Sequence, residues 1–288
     1  MTTAHRLVTG ALGALPRPVA VAVGGGGVLG AAHVGVGYAL EQRGFVPDLI
    51  AGTSVGALTG AIAAAYPDRA AQWLDDVWSH LRRRDVFPFG YLSSRSSIFT
   101  DRGLRRLIAR AGLPSRVEEL AVPFTAVAMD LVTGAEVRLD HGELESALLA
   151  STAIPGALPP VVRDGRTLVD GGLIAYVPVR AAEQAGAASV VVLSTGPASW
   201  PLRRTLPRWR PGAIASRAAV LQVHHQIELD LHEVAEHIPV VVLPTGVEEW
   251  PAPWDFSHSQ RLIRTASVTA GRFLDELHIS GAGLYRAD

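Results

Sequence analysis

Five consecutive apolar residues, Val19–Val23, form the first clear pattern along the chain, and a run of that length suits a strand buried on both faces. A glycine-rich stretch, Gly24–Gly30, follows, and residues 31–42 then take up helical spacing. The sequence repeats the move with a short strand at Leu49–Ala51, a turn at Gly52–Gly56 and an alanine-rich helix at Ala57–Tyr66. Strand, turn and helix twice within fifty residues read as the opening of a parallel sheet covered by helices. Further strands are expected at Phe124–Met129, Glu136–Leu139, Thr167–Val169, Val190–Leu193 and Val240–Leu243. Further helices are expected at Arg102–Ala111, Glu143–Leu149, Val179–Ala185, Ala213–Glu236 and Ser259–Leu277. Two stretches break the pattern. Residues 82–99 mix arginines with Phe87, Phe89 and Tyr91, and residues 199–212 are rich in Trp, Arg and Pro. Apolar periodicity resumes after each, so neither reads as a linker, and one α/β domain over residues 1–288 is expected, with the motif-bearing core at about 19–194.

Composition narrows the chemistry. Apolar residues make up 48% of the 288 and charged residues 18%, which excludes a disordered chain. A net charge of −1 gives no bulk electrostatic reason to bind nucleic acid, and none is expected as a partner. There is no cysteine, so thiolate metal sites and cysteine nucleophiles are excluded. All 26 basic residues are arginine, which removes Schiff-base lysines and Ser–Lys dyads. No apolar run is long enough to span a bilayer. The short, glycine-interrupted run Leu7–Leu15 lacks a convincing cleavage site, so a cytoplasmic chain is expected.

Three motifs carry candidate chemistry. Gly52-Thr53-Ser54-Val55-Gly56 fits the G-x-S-x-G elbow, in which a strained strand-to-helix turn pushes the serine Oγ out above the sheet at a helix N-terminus. The bland alternative is a turn that caps a helix. Gly24–Gly30 offers unhindered N–H groups between a strand and a helix, as an oxyanion hole requires. The same stretch matches the dinucleotide fingerprint at Gly25, Gly27 and Gly30. That reading needs an acid at the far end of the second strand, whereas Asp48 precedes this strand. Leu168-Val169-Asp170-Gly171-Gly172 ends a short strand on an aspartate that can reach another loop, although Asp-Gly is also an ordinary turn. A Ser-His-Asp triad competes with these, because ten histidines are available. Ser54 follows only one βα unit, too little chain for an α/β-hydrolase elbow, and His224, His225 and His232 sit in a long helical pattern. His33 reads as a packing or orienting residue.

Taken together, the order and spacing of these motifs resemble the patatin-like phospholipase family, and Ala150–Gly156 is similar to that family's Ser-x-Ala-x-Pro block. The resemblance covers roughly Val19–Leu193. It implies a three-layer α/β/α fold with a mostly parallel sheet, and hydrolysis of lipid acyl esters by a Ser54–Asp170 dyad. In that dyad Ser54 is the nucleophile and Asp170 the general base. Gly25, Gly26, Gly27 and Val28 would form the oxyanion hole, and Gly30, Gly52, Gly56, Gly171 and Gly172 would shape the motifs. The implied substrates are phospholipids or neutral glycerides, with no cofactor and no metal. The chain departs from the family at Leu29, where Arg or Lys is usual, and in lacking an Asn after Asp170. A non-catalytic lipid-binding role is the alternative this departure suggests. A peripheral membrane contact through Trp200 and Trp209 is a further expectation, weighed against their packing onto the core.

Overall fold

Alternate residues of β1 (Val19–Val23) enter two different cores: Val19, Val21 and Val23 join one, Ala20 and Ala22 the other. The same division recurs in β7 (Ser189–Leu193), whose Val191 and Leu193 face the first core and Val190 and Val192 the second. A sheet lies between two helical layers, which is why its central strands are apolar throughout. The computed structural model describes residues 8, 10–88, 97–195, 211–247, 252 and 254–287.

The sheet is built from these two strands with β2 (Leu49–Thr53), β3 (Phe124–Asp130), β4 (Glu136–Leu139), β5 (Val161–Arg163), β6 (Arg166–Asp170), β8 (Pro239–Leu243) and β9 (Gly283–Tyr285). Its order is β5-β6-β3-β2-β1-β7-β8-β9, with β4 also paired to β3. The run from β3 to β9 is parallel, while β4, β5 and β6 pair antiparallel. The first core lies under α1 (Ala31–Glu41), α2 (Val55–Ala65), α3 (Ala70–His80), α5 (Arg102–Arg110), α6 (Leu144–Ser151) and α9 (Ser259–Glu276). The second lies under α7 (Val179–Gln184) and α8 (Pro211–Ala235). The three-layer, mostly parallel architecture follows as expected. Strand order reverses at β1, which has β2 on one side and β7 on the other, and a crevice outside the carboxyl ends of such strands is where ligands of open α/β sheets bind.

The expected elements are present, with ends shifted by a few residues. Pattern reading passes over α3, α4 (Arg83–Val86), β5 and β9. The last two are three-residue edge strands with no alternation to read. α3 has a readable stripe, since Ala71, Leu74 and Trp78 are buried at helical spacing, but Asp75 and Asp76 interrupt it.

Candidate active site

Ser54 stands between β2 and α2 with φ 58° and ψ −127°, a conformation that costs an L-residue about 1–3 kcal/mol and persists only where its surroundings impose it. Here they do. The Ser54 N–H donates to Ser151 Oγ at 3.0 Å, and Ser151 Oγ donates to the Val127 carbonyl at 2.6 Å. Thr53 Oγ1 donates to the Ala175 carbonyl at 2.7 Å, fixing the preceding residue. The turn also needs close backbone approach. A Cβ on Gly56 would lie 2.2 Å from the Val23 carbonyl oxygen, so α2 can begin against the end of β1 only with glycine there.

Asp170 reaches the same place from the other direction. Thr53 pairs with Val127 on β3, and Ala128, the next residue of β3, pairs with Asp170 at the end of antiparallel β6. Ser54 and Asp170 therefore stand level, with β3 between them. Ser54 Oγ donates to Asp170 Oδ2 at 2.6 Å, and the Gly172 N–H donates to Oδ1 at 2.7 Å. Both residues are buried, Ser54 at 8% and Asp170 at 6% exposure. Burial pushes the Asp170 carboxyl up to about 6, against the lowering effect of those two hydrogen bonds. The Ala150–Gly156 block ties the pair together: Ser151 holds the Ser54 N–H, and the Ala153 carbonyl accepts the Asp170 N–H at 3.0 Å.

The glycine loop is fastened by its first two residues. Gly24 donates to the Leu193 carbonyl at 2.9 Å and Gly25 to the Tyr176 carbonyl at 2.8 Å. Thr195 Oγ1 bonds the Gly25 carbonyl at 2.6 Å and the Tyr176 hydroxyl at 3.0 Å. The N–H of Gly25 is thus engaged, while those of Gly26, Gly27 and Val28 find no partner among the described residues. Gly26 has φ +139°, and a Cβ there would sit 2.0 Å from Thr195 Oγ1. Leu29 is 1% exposed and belongs to the first core, so its side chain points away from the free donors. Gly30 ends the loop at the start of α1, Gly52 lies within β2 beneath the elbow, and Gly171 and Gly172 turn the chain after Asp170. Sequence reasoning did not single out Tyr176 or Thr195, and no motif marks them. Ser151 lay inside a motif without an assigned role.

An apolar cavity of about 390 Å³ opens from this site. Gly27, Val28, Ser54 and Thr152 line one end, and stripes from α2 (Val55, Leu58, Thr59, Ile62) and α5 (Leu104, Leu107, Ile108) continue it. No histidine bonds Ser54 or Asp170 among the described residues. His232, His237 and His258 pair with acids on the surface. His33 is buried without a well-aligned hydrogen bond, and burial lowers its pKa to about 3 although the Leu193 carbonyl faces it. Asp48 accepts from the Val19 N–H at 2.6 Å, at the end of the sheet opposite the glycine loop, which leaves the dinucleotide reading without its acid. The segment with Trp200 and Trp209 lies outside the described residues. No helix among the described residues is long and apolar enough to cross a membrane.

Residues 21–183, more than half the chain, match the model of the family described as patatin-like phospholipase. The chain belongs to that family. It is 35% identical over 214 residues to an uncharacterised NTE family protein of Mycobacterium tuberculosis, covering 72% of this chain and 58% of that one. It is 33% identical over 186 residues to human patatin-like phospholipase domain-containing protein 6, covering 62% of this chain and 13% of that one. The chain thus spans well under two thirds of the length of these relatives. Among solved structures it resembles VipD from Legionella pneumophila, with a TM-score of 0.47 at 12% identity, over 91% of this chain and 67% of that one.

Proposed function

We propose that this patatin-like phospholipase family member hydrolyses acyl esters of lipids through a Ser54–Asp170 dyad. The observation that carries the reading is the 2.6 Å bond from Ser54 Oγ to a buried carboxylate, at the head of an apolar cavity. Asp170 Oδ2 takes the Ser54 proton as Oγ bonds to the ester carbonyl carbon, and the carbonyl oxygen becomes an oxyanion. The unengaged N–H groups of Gly26, Gly27 and Val28 receive that charge at the entry to α1, each such donor contributing about 3–4 kcal/mol to the transition state. Collapse breaks the ester C–O bond, and the proton held by Asp170 leaves with the alcohol. Water then attacks the acyl-Ser54 ester, gives its proton to Asp170, and the acid departs as Ser54 recovers its hydrogen.

A carboxylate with its pKa near 6 suits this role better than one near 4, because a base is most effective when its pKa approaches the working pH. The cavity supports a lipid acyl chain as the substrate group. A 150 Å³ cavity holds benzene, so about 390 Å³ accommodates on the order of 16 carbon atoms, enough for one long acyl chain. Leu29 does not oppose the reading, since its side chain lies in the core and the free donors are backbone groups. The test is a fluorophosphonate probe together with a panel of lipid and simple esters. Wild type is labelled once and turns over esters, and Ser54→Ala does neither. Undiminished labelling of Ser54→Ala refutes the assignment.

A further inference from the structure

The arginine-rich stretch that begins at residue 82 has no part in the chemistry above, yet it walls the same cavity. Residues 82–110 hold eight of the chain's 26 arginines and only two acids, Asp85 and Asp101, in a protein whose net charge is −1. α4 packs on the first turn of α5 closely enough that a Cβ on Gly103 would lie 2.4 Å from the Asp85 carbonyl oxygen. The two helices therefore form one surface. Its inner side, with Val86, Phe87, Leu104 and Leu107, lines the cavity that leads to Ser54. Its outer side exposes Arg82, Arg84, Arg102 and Arg106, none of which makes an ion pair among the described residues. Both acids are already engaged: Asp85 accepts the Arg82 N–H at 2.9 Å, and Asp101 accepts from Arg105 at 2.8 Å. Across the cavity on α3, Asp75 is bonded to Tyr38 and Gln260, and Asp76 lies 3.9 Å from His80. Beside the arginines the Trp254 indole is 51% exposed, with the Arg83 guanidinium 5.5 Å from its ring centroid.

We propose that the outer face of α4 and α5 docks the protein on an anionic lipid bilayer, so that a lipid leaving the bilayer enters the cavity between these helices and Ser54. Clustered arginines are attracted to an anionic leaflet, and an exposed indole settles at the headgroup level. Continuity between this face and the cavity gives the attraction a use: the acyl chain passes from bilayer to enzyme with little exposure to water. The inference rests on the lipid-hydrolase reading only for its purpose, and the docking is measured without turnover.

The experiment is co-sedimentation of the Ser54→Ala protein with phosphatidylglycerol vesicles and with phosphatidylcholine vesicles. It is run beside the same protein carrying Arg84→Gln, Arg102→Gln and Arg106→Gln. Loss of three surface arginines should lower partition onto phosphatidylglycerol about a hundredfold, at roughly fivefold each, and the wild-type preference should fade as salt is raised. In the Ser54 background, the triple variant should hydrolyse a soluble short-chain ester like wild type and vesicle lipid more slowly. A control with Arg261, Arg264 and Arg272 of α9 changed to Gln carries the same net charge. Equal weakening by the control, undiminished partition by the triple variant, or partition lost only with Trp200→Ser and Trp209→Ser overturns the proposal, as does stronger capture by single-stranded RNA than by phosphatidylglycerol vesicles. Vesicle binding without any ester turnover leaves the docking face standing and refutes the hydrolase reading instead.

Discussion

Replacing Asp170 by Asn removes the proposed base and also relieves the fold of a buried charge, and the second effect is measurable without substrate. Burial raises the carboxyl from 3.8 to about 6. Between those values the folded protein keeps a proton that the unfolded chain has released, so rising pH favours the unfolded chain by 1.36 kcal/mol per unit. Across roughly two units this amounts to about 3 kcal/mol, fully lost by pH 7 and regained as pH falls below about 4. Asn does not ionise and escapes the loss. Urea unfolding of both proteins from pH 4 to pH 8 should therefore show the Asn variant gaining about 3 kcal/mol on wild type as pH rises. Changes in hydrogen bonding to Ser54 and Gly172 shift the whole difference but not its slope. Above about pH 6 turnover should fall by about 10²–10⁴, because an amide does not accept the Ser54 proton, and the gap should narrow at lower pH as wild-type Asp170 is itself protonated. Wild-type turnover should climb with pH through about 6 as Asp170 loses its proton. A difference in unfolding free energy that stays flat from pH 4 to pH 8 refutes the buried, raised carboxyl and the reasoning built on it.

Two further expectations follow from the site. Ser151→Ala leaves the Ser54 N–H without its acceptor and the elbow less firmly held, so stability should drop by about 1–3 kcal/mol in urea unfolding. Its turnover should drop at least tenfold by ester assay, and wild-type turnover in this variant would show that the strained turn stands without it. Ile62→Trp fills the cavity about 10 Å along α2 from Val55 and should depress kcat/KM for long acyl esters while sparing short ones. Equal effects across chain lengths would show that the acyl group does not occupy this cavity.

The parallel half of the fold is legible in the sequence because each of its central strands is an unbroken apolar run ending in a turn with a reason to be there. Val19–Val23 with its glycines and Leu49–Thr53 with its elbow are local patterns, readable from neighbours alone. The candidate nucleophile and the free donors of Gly26, Gly27 and Val28 were accessible in the same way. What supports them was not. Tyr176, in the turn before α7, and Thr195, just after β7, hold the glycine loop, and nothing in the spacing of a lone Tyr or Thr announces that contact. The engagement of the Gly25 N–H by Tyr176 is equally invisible until the chain is folded. α3 shows the other failure, a helix whose buried stripe is present in the sequence but broken up by two aspartates on its outer turns.

The antiparallel strand β6 accounts for the placement of the proposed base, Asp170, at a site where no histidine among the described residues bonds Ser54. A free carboxylate with a pKa near 4 is a poor acceptor for a serine proton, so the carboxyl must be lifted toward neutrality. Burial does this most directly, but a carboxylate deep in an apolar core would be both costly and out of reach. β6 resolves the conflict by ending at Ala128, level with Ser54, where the Asp170 side chain is sealed from water yet meets two donors, Ser54 Oγ and the Gly172 N–H. Those donors limit the rise to about 6, high enough to favour proton acceptance and low enough to leave the group ionised at pH 7. Were β6 parallel to β3, its carboxyl end would still reach the same edge of the sheet. The connection from α6 would then have to cross the sheet before β6 began. The antiparallel course instead lets Ala150–Gly156 pass directly beside both residues, so one block holds the Ser54 N–H through Ser151 and the Asp170 N–H through Ala153. The strain at Ser54 and the charge at Asp170 are thereby stabilised by the same few residues, and the loss of Ser151 should be felt at both.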